Sequence, residues 1–199
     1  MNNKNKQNYH HGDLRNALIN ATVEMINQYG VESITMRKLS EWVGVSRTAA
    51  YRHFSDKTDL LTATAIEGFK QFTLALQVGR LDTSIDEINQ FRMMGQAYIR
   101  FAMENPAYYR LMFGDTVIQE SEALRKASDA SFNELLIMIE RLQGIGVISG
   151  DEPKMQAIYV WSLMHGLSSL IIDNKLQSDI ELQDILVFID QRIMKSLTT

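Results

Sequence analysis

An all-α fold of about nine helices is expected from three features of this 199-residue sequence. Only two prolines and 11 glycines interrupt it. Apolar residues recur at three-to-four spacing through most of its length, and no segment carries a strand pattern. Leu, Ile, Met, Ala, Gln and Glu, all compatible with long helices, are abundant.

The elements follow in order. Residues 1–12, MNNKNKQNYHHG, are polar and aperiodic, and a flexible arm is expected over 1–10. From Asp13, Leu14, Leu18, Ala21 and Met25 mark an amphipathic helix that Gly30 ends. Thr35 is a good N-cap for a short helix, Met36 to Val43, stopped by Gly44. Ser46 caps the next, Arg47 to about His53. Ser55 and Asp56 cap a longer helix from Lys57 to about Val78, followed by a connection around Gly79–Ser84. Further helices are expected over Asp86–Glu104, from Pro106 to a break at Gly114 and Asp115, over Glu120–Leu142, and from Pro153 to about Asn174. Asp179 is placed to cap the last, whose stripe is Leu182, Ile185, Ile189, Ile193 and Leu197.

Composition narrows the chemistry. The absence of cysteine removes disulfides, zinc–cysteine sites and thiol nucleophiles, and fits a cytoplasmic location. No N-terminal apolar segment resembles a signal peptide. The apolar stretch Ala157–Ile172 is broken by Ser162, His165, Gly166, Ser168 and Ser169, and reads as too short and too polar to span a membrane. No catalytic carboxylate pair, phosphate-binding glycine loop or metal-ligand spacing is found, so no catalysis, cofactor or metal is expected. The net charge of −4 is unevenly spread. Residues 1–60 hold eight Lys and Arg against six Asp and Glu, whereas residues 61–199 hold 12 against 18. A cationic head on an acidic body suggests a polyanion-facing module.

Residues 35–54, TMRKLSEWVGVSRTAAYRHF, carry most of the information. Two short helices meet at a tight turn, Val43-Gly44-Val45, the spacing of a helix-turn-helix, here 34–53. Val45, Ala50 and Phe54 would tuck against Leu39 and Val43, leaving Arg47, Thr48, Tyr51 and Arg52 outward. Those groups suit guanine edges, thymine methyls and phosphates. The Ser46 end aims free backbone N–H groups outward. Lys57 begins a helix where a cation is unfavourable for the dipole, which suggests a nearby phosphate.

Together with Tyr9-His10-His11-Gly12-Asp13-Leu14, the Gly30–Arg37 approach, Val43-Gly44-Val45-Ser46 and Tyr51-Arg52-His53-Phe54 with Lys57, this string resembles the DNA-binding domain of the tetracycline-repressor-like (TetR) family. The second half is similar to the branch with a Trp-x-x-x-His-Gly signature, here Trp161, His165 and Gly166. The resemblance implies a DNA-binding domain over 11–71 and a ligand-binding and dimerisation domain over 72–199. It implies Arg47, Thr48 and Tyr51 in the major groove, with Arg47 the principal base reader, and Thr35, Ser46, Tyr51, His53 and Lys57 on phosphates; Arg52 joins this outward set. It also implies a homodimer formed through the last two helices on a palindromic double-stranded operator. The apolar stripe of the terminal helix is expected to meet the partner.

An effector site is the second expectation. Met94, Tyr98, Phe101, Tyr109, Phe132, Trp161 and His165 suit a mainly apolar small molecule, and the same residues equally suit an ordinary core. Gly166 is expected to permit close helix approach. Lys4, Lys6, His10 and His11 could follow the DNA backbone or minor groove. Two alternatives stand beside the ligand-responsive repressor. One is a helical small-molecule-binding protein or enzyme that does not read DNA; the other is a sequence-tolerant architectural DNA binder, which the acidic body disfavours.

Overall fold

The computed structural model describes residues 14–114, 118, 120–176 and 180–198. The expected arm, Asp115 and the Asp179 cap lie outside these residues. Nine α-helices and one 3-10 turn, and no strand, are found among the described residues.

The head forms by local capping chemistry. Helix α1, Leu14–Tyr29, ends where Gly30 turns left-handed at φ +78° and donates its N–H to the Ile26 carbonyl. A 3-10 turn, Val31–Ser33, leads into α2, Met36–Val43. The Thr35 hydroxyl accepts from the Lys38 N–H at its start, and Gly44 closes it at φ +79°. Helix α3, Arg47–Tyr51, is capped by Ser46, which accepts from the Ala49 N–H at 3.1 Å. Leu18, Ile19, Met25, Leu39, Ala50 and Phe54 join the start of α4 in one buried cluster. Val45 is not part of it. It is only half-buried, because the turn carries it past the core that Ala50 and Phe54 fill.

Helix α4 runs from Lys57 to Leu81, with Asp56 as its cap. It therefore passes through Gly79, where a connection was expected. Gly79 is buried, and a Cβ there would lie 2.8 Å from the Met94 backbone nitrogen. This glycine permits a close crossing and does not end the helix. The crossing helix is α5, Glu87–Glu104, followed by α6, Pro106–Phe113, and α7, Glu122–Gly144. Helix α8 is Pro153–Ile172 and α9 is Leu182–Leu197. At 20 residues α8 is longer than the stretch expected and meets the length and composition of a membrane span; a third of its apolar window is buried within the fold.

The body is built on aromatic and methionine side chains. Phe72 of α4 is fully buried and packs against Tyr98, Phe101, Phe113 and Trp161. A buried ion pair joins α4 to α7: Arg80 Nε lies 2.5 Å from Glu134 Oε2, and the Gln77 amide donates to Oε1 at 2.8 Å. Leu111 of α6 packs with Leu61 and Ala65 of α4 and with Ile26 and Val31, joining body to head.

The terminal helix packs part of its stripe on its own subunit. Ile193 and Leu197 are buried, and Ile185 and Ile189 pack against the body core of the same subunit. The stripe is thus only partly covered within the subunit: Ile185 and Ile189 stay half-buried, and Leu182 lies outside this cluster. On the last two helices the exposed large apolar side chains are Val187 and Phe188 of α9 and Met155, Ile158, Tyr159, Leu163 and Leu170 of α8; Leu74, Val78 and Leu81 of α4 and Met103 of α5 are exposed as well.

Candidate nucleic-acid interface and effector cavity

The second helix of the helix-turn-helix, α3, exposes a cation, a hydroxyl and an aromatic ring. Arg47, Thr48 and Tyr51 of α3 are exposed, with Tyr51 at 52%. Arg52 and His53 follow at its end, also exposed. Ala50 is wholly buried on the opposite side, so burial of a single alanine and Phe54 orients the whole outward set. Thr35 and Ser46 are exposed N-caps at the starts of α2 and α3, and Lys57 is half-buried at the start of α4. Arg47, Arg52 and Lys57 take part in no ion pair among the described residues, whereas Arg37 is paired with Glu41. Cations without carboxylate partners are available to phosphate. All eight residues expected from the sequence lie on α2–α4 or at the ends of these helices, and seven of them are exposed.

Arg15 was not singled out. Its guanidinium lies 5.3 Å from the centre of the Phe54 ring, at the start of α1. The contact spans 39 positions in the chain, which no local pattern signals.

The seven candidate effector residues are divided by the structure. Met94, Tyr98 and Trp161 line a cavity of about 680 Å³, open on one side, whose walls come from α4, α5, α7, α8 and α9. Phe101, Tyr109, Phe132 and His165 are not on its wall. Phe101 packs on Phe72 and Phe132 on Trp161, while Tyr109 and His165 stack on each other. The Tyr109 hydroxyl lies 2.8 Å from His165 Nδ1 and 3.2 Å from the Tyr98 hydroxyl, so a hydrogen-bonded chain runs from the cavity wall to α8. Burial pushes the Tyr98 and Tyr109 hydroxyls up in pKa, so both stay protonated and able to donate. Gly166 is exposed, and a Cβ there would meet nothing within 4 Å; it permits no close approach inside the subunit.

The sequence reading missed the cavity rim. Arg92, Gln96, Arg100 and Glu104 lie on it at intervals of four along α5, and Asp190 faces Arg92 from α9, 3.1 Å away. A polar row one position removed from the apolar row is the signal that would have found them.

Burial lowers the His165 pKa from its ordinary value of 6.5. As pH falls below that value, the unfolded chain binds a proton at this position before the folded one does. Stability present above that pH is therefore lost as pH falls toward the lowered folded value. Urea unfolding at about pH 7.5 and 5.5 should show a smaller loss for His165→Asn than for the parent. Equal losses would mean that His165 does not titrate in this window.

Comparisons with known proteins agree with this architecture. Residues 18–64 match the model described as bacterial regulatory proteins, tetR family, and residues 91–188 match the tetracyclin repressor-like C-terminal domain. The two cover about three quarters of the chain. An uncharacterised HTH-type transcriptional regulator of Mycobacterium tuberculosis is 25% identical over 94% of this chain and 79% of its own length. The nucleoid occlusion factor SlmA of Vibrio cholerae is 32% identical over 61% of this chain and 62% of that protein. A protein of unknown function from Rhodococcus sp. RHA1 superimposes with a TM-score of 0.86 at 25% identity, covering 98% of this chain and 100% of that one. With a helix-turn-helix at its head and a helical body behind it, the chain belongs to the tetR family and is a DNA-binding transcriptional regulator.

Proposed function

We propose that this regulator is a ligand-responsive, cytoplasmic repressor that binds a palindromic operator as a homodimer, without catalysis. We divide it into a DNA-binding domain over residues 11–71 and an effector and dimerisation domain over 72–199. The exposed face of α3 carries the proposal: Arg47, Thr48 and Tyr51 point outward while Ala50 anchors the helix from behind. Arg47 reads a base edge, with Thr48 and Tyr51 beside it in the major groove. Thr35, Ser46, Arg52, His53 and Lys57 hold phosphates. The homodimer forms through the exposed apolar sides of α8 and α9. The effector occupies the α5 cavity, with Met94, Tyr98 and Trp161 on its wall and Tyr109 and His165 behind them.

Base and phosphate contacts leave different signatures. A bidentate arginine–guanine contact discriminates by roughly 1–3 kcal/mol, so Arg47→Ala should relax preference at one position of each half-site. Lys57→Ala should weaken binding to all sequences and reduce the salt slope by about one unit. The two variants are compared across an operator library at several salt concentrations. Identical profiles would refute this division of roles. Binding that does not depend on salt or sequence would instead support a small-molecule-binding protein that does not read DNA.

A further inference from the structure

We infer that the α5 cavity takes a medium-chain aliphatic carboxylate, its tail along the cavity floor and its charged head on Arg100. This rests on reading the cavity as the effector site.

The floor is suited to a hydrocarbon tail. Leu76, Met94, Leu135, Met164 and Ile193 supply aliphatic and thioether groups from five helices. The Tyr98 hydroxyl on the wall is already hydrogen-bonded to Tyr109. A ligand rich in polar groups would leave them without partners there, at a cost that a hydrocarbon avoids. The shape is elongated. The lining follows α5 from Phe91 to Glu104, about 20 Å of helix at 1.5 Å per residue. Methionines at three wall positions, Met94, Met103 and Met164, can adjust to a flexible chain.

The rim orients the molecule. Four charged residues lie on it: Arg92, Arg100, Glu104 and Asp190. Arg92 and Asp190 neutralise one another, Nε sitting 3.1 and 3.2 Å from the two carboxylate oxygens. Arg100 has no ion pair among the described residues, although Glu104 lies one turn away. A cation N-terminal to an acid at this spacing is the weaker order for pairing. Arg100 is thus the one rim cation without a carboxylate. Glu104 repels an anion placed further along α5, so the head sits at Arg100 and the tail runs toward Phe91. That run is about 13 Å, the reach of a medium-chain tail.

Gly95 supplies a clean way to fill the site. It lies on the wall, and a Cβ there would meet only the Met164 methyl, at an ordinary 3.6 Å. Gly95→Leu projects a side chain into the cavity and favours the helix.

The test is calorimetric titration of the full-length protein with sodium dodecanoate and, separately, 1-dodecanol, with operator affinity measured in parallel. Dodecanoate should bind once per subunit, at least 10-fold more tightly than dodecanol, and should lower operator affinity. Arg100→Gln should weaken dodecanoate about 10-fold and leave dodecanol unchanged. Gly95→Leu should abolish binding of both while keeping ligand-free operator affinity. The inference is overturned if dodecanoate fails to bind, binds no better than dodecanol, ignores Arg100→Gln, or binds without affecting the operator. The neutral dye N-phenyl-1-naphthylamine separates the two levels. If the parent binds the dye and Gly95→Leu does not, while dodecanoate fails, the cavity stands and the ligand class falls. If neither probe responds to Gly95→Leu, the cavity reading falls as well.

Discussion

Arg80→Ala is expected to destabilise the folded chain by about 3 kcal/mol, the lower end for stranding one member of a buried ion pair. Glu134 is 8% exposed at its side chain, and its two oxygens are held by Arg80 and Gln77. Without the guanidinium, the carboxylate keeps one amide donor and little water. Arg80 itself is 19% exposed, so some solvent can enter and soften the loss. Arg80→Met combined with Glu134→Leu removes both charges and should cost much less than either single change, because no ion is left buried. Urea unfolding of the two single variants and the double variant decides this. A loss below about 1 kcal/mol for Arg80→Ala would show the pair to be screened like a surface one. The position has a functional side. Arg80 and the close crossing at Gly79 hold the far end of α4 to α7 and α5, next to Leu76 on the cavity wall. Residues 57 to 76 of α4 span about 29 Å between that anchor and the head.

What could be read from the sequence was set by how local the cause was. The caps at Thr35, Ser46 and Asp56 act within three residues of themselves, and each holds in the structure. The left-handed glycines 30 and 44 end their helices as expected. Gly79 has the same composition signal and the opposite meaning, because what lies against it is Met94, distant in sequence. Periodicity identified the stripe Ile185, Ile189, Ile193 on α9 but could not say which surface covers it; its own subunit buries Ile193 and covers Ile185 and Ile189 in part. The effector residues divide for the same reason: Tyr98 and Tyr109 are both buried aromatics, and only the packing of five helices puts one on the cavity wall and the other behind it. The Arg80–Glu134 pair, 54 positions apart, carried no local sign at all.

If the subunits pair through α8 and α9 as proposed, Leu163→Glu leaves monomers at micromolar concentration and reduces operator affinity at least 100-fold. Leu163 is 37% exposed on α8, in a row with Met155, Tyr159 and Leu170, and Phe188 on α9 is 56% exposed with Arg192 lying 4.9 Å over its ring. Seven large apolar side chains exposed on α8 and α9 suit burial against a second subunit better than solvent. Gly166 and Ser162 are small residues on the same exposed side, with open space above Gly166, which lets a partner helix approach closely. A two-fold interface repeats every substitution, so one glutamate buries two like charges near each other. Operator affinity follows because each head alone grips one half-site. Joining two heads makes the second contact intramolecular, and that advantage is lost when the subunits part. Phe188→Glu places the same charge on α9 and guards against a folding defect peculiar to position 163. Sedimentation, circular dichroism and operator titration together decide the matter. A folded variant that remains dimeric, or a monomer that binds the operator as tightly as the parent, would move the assembly surface away from α8 and α9.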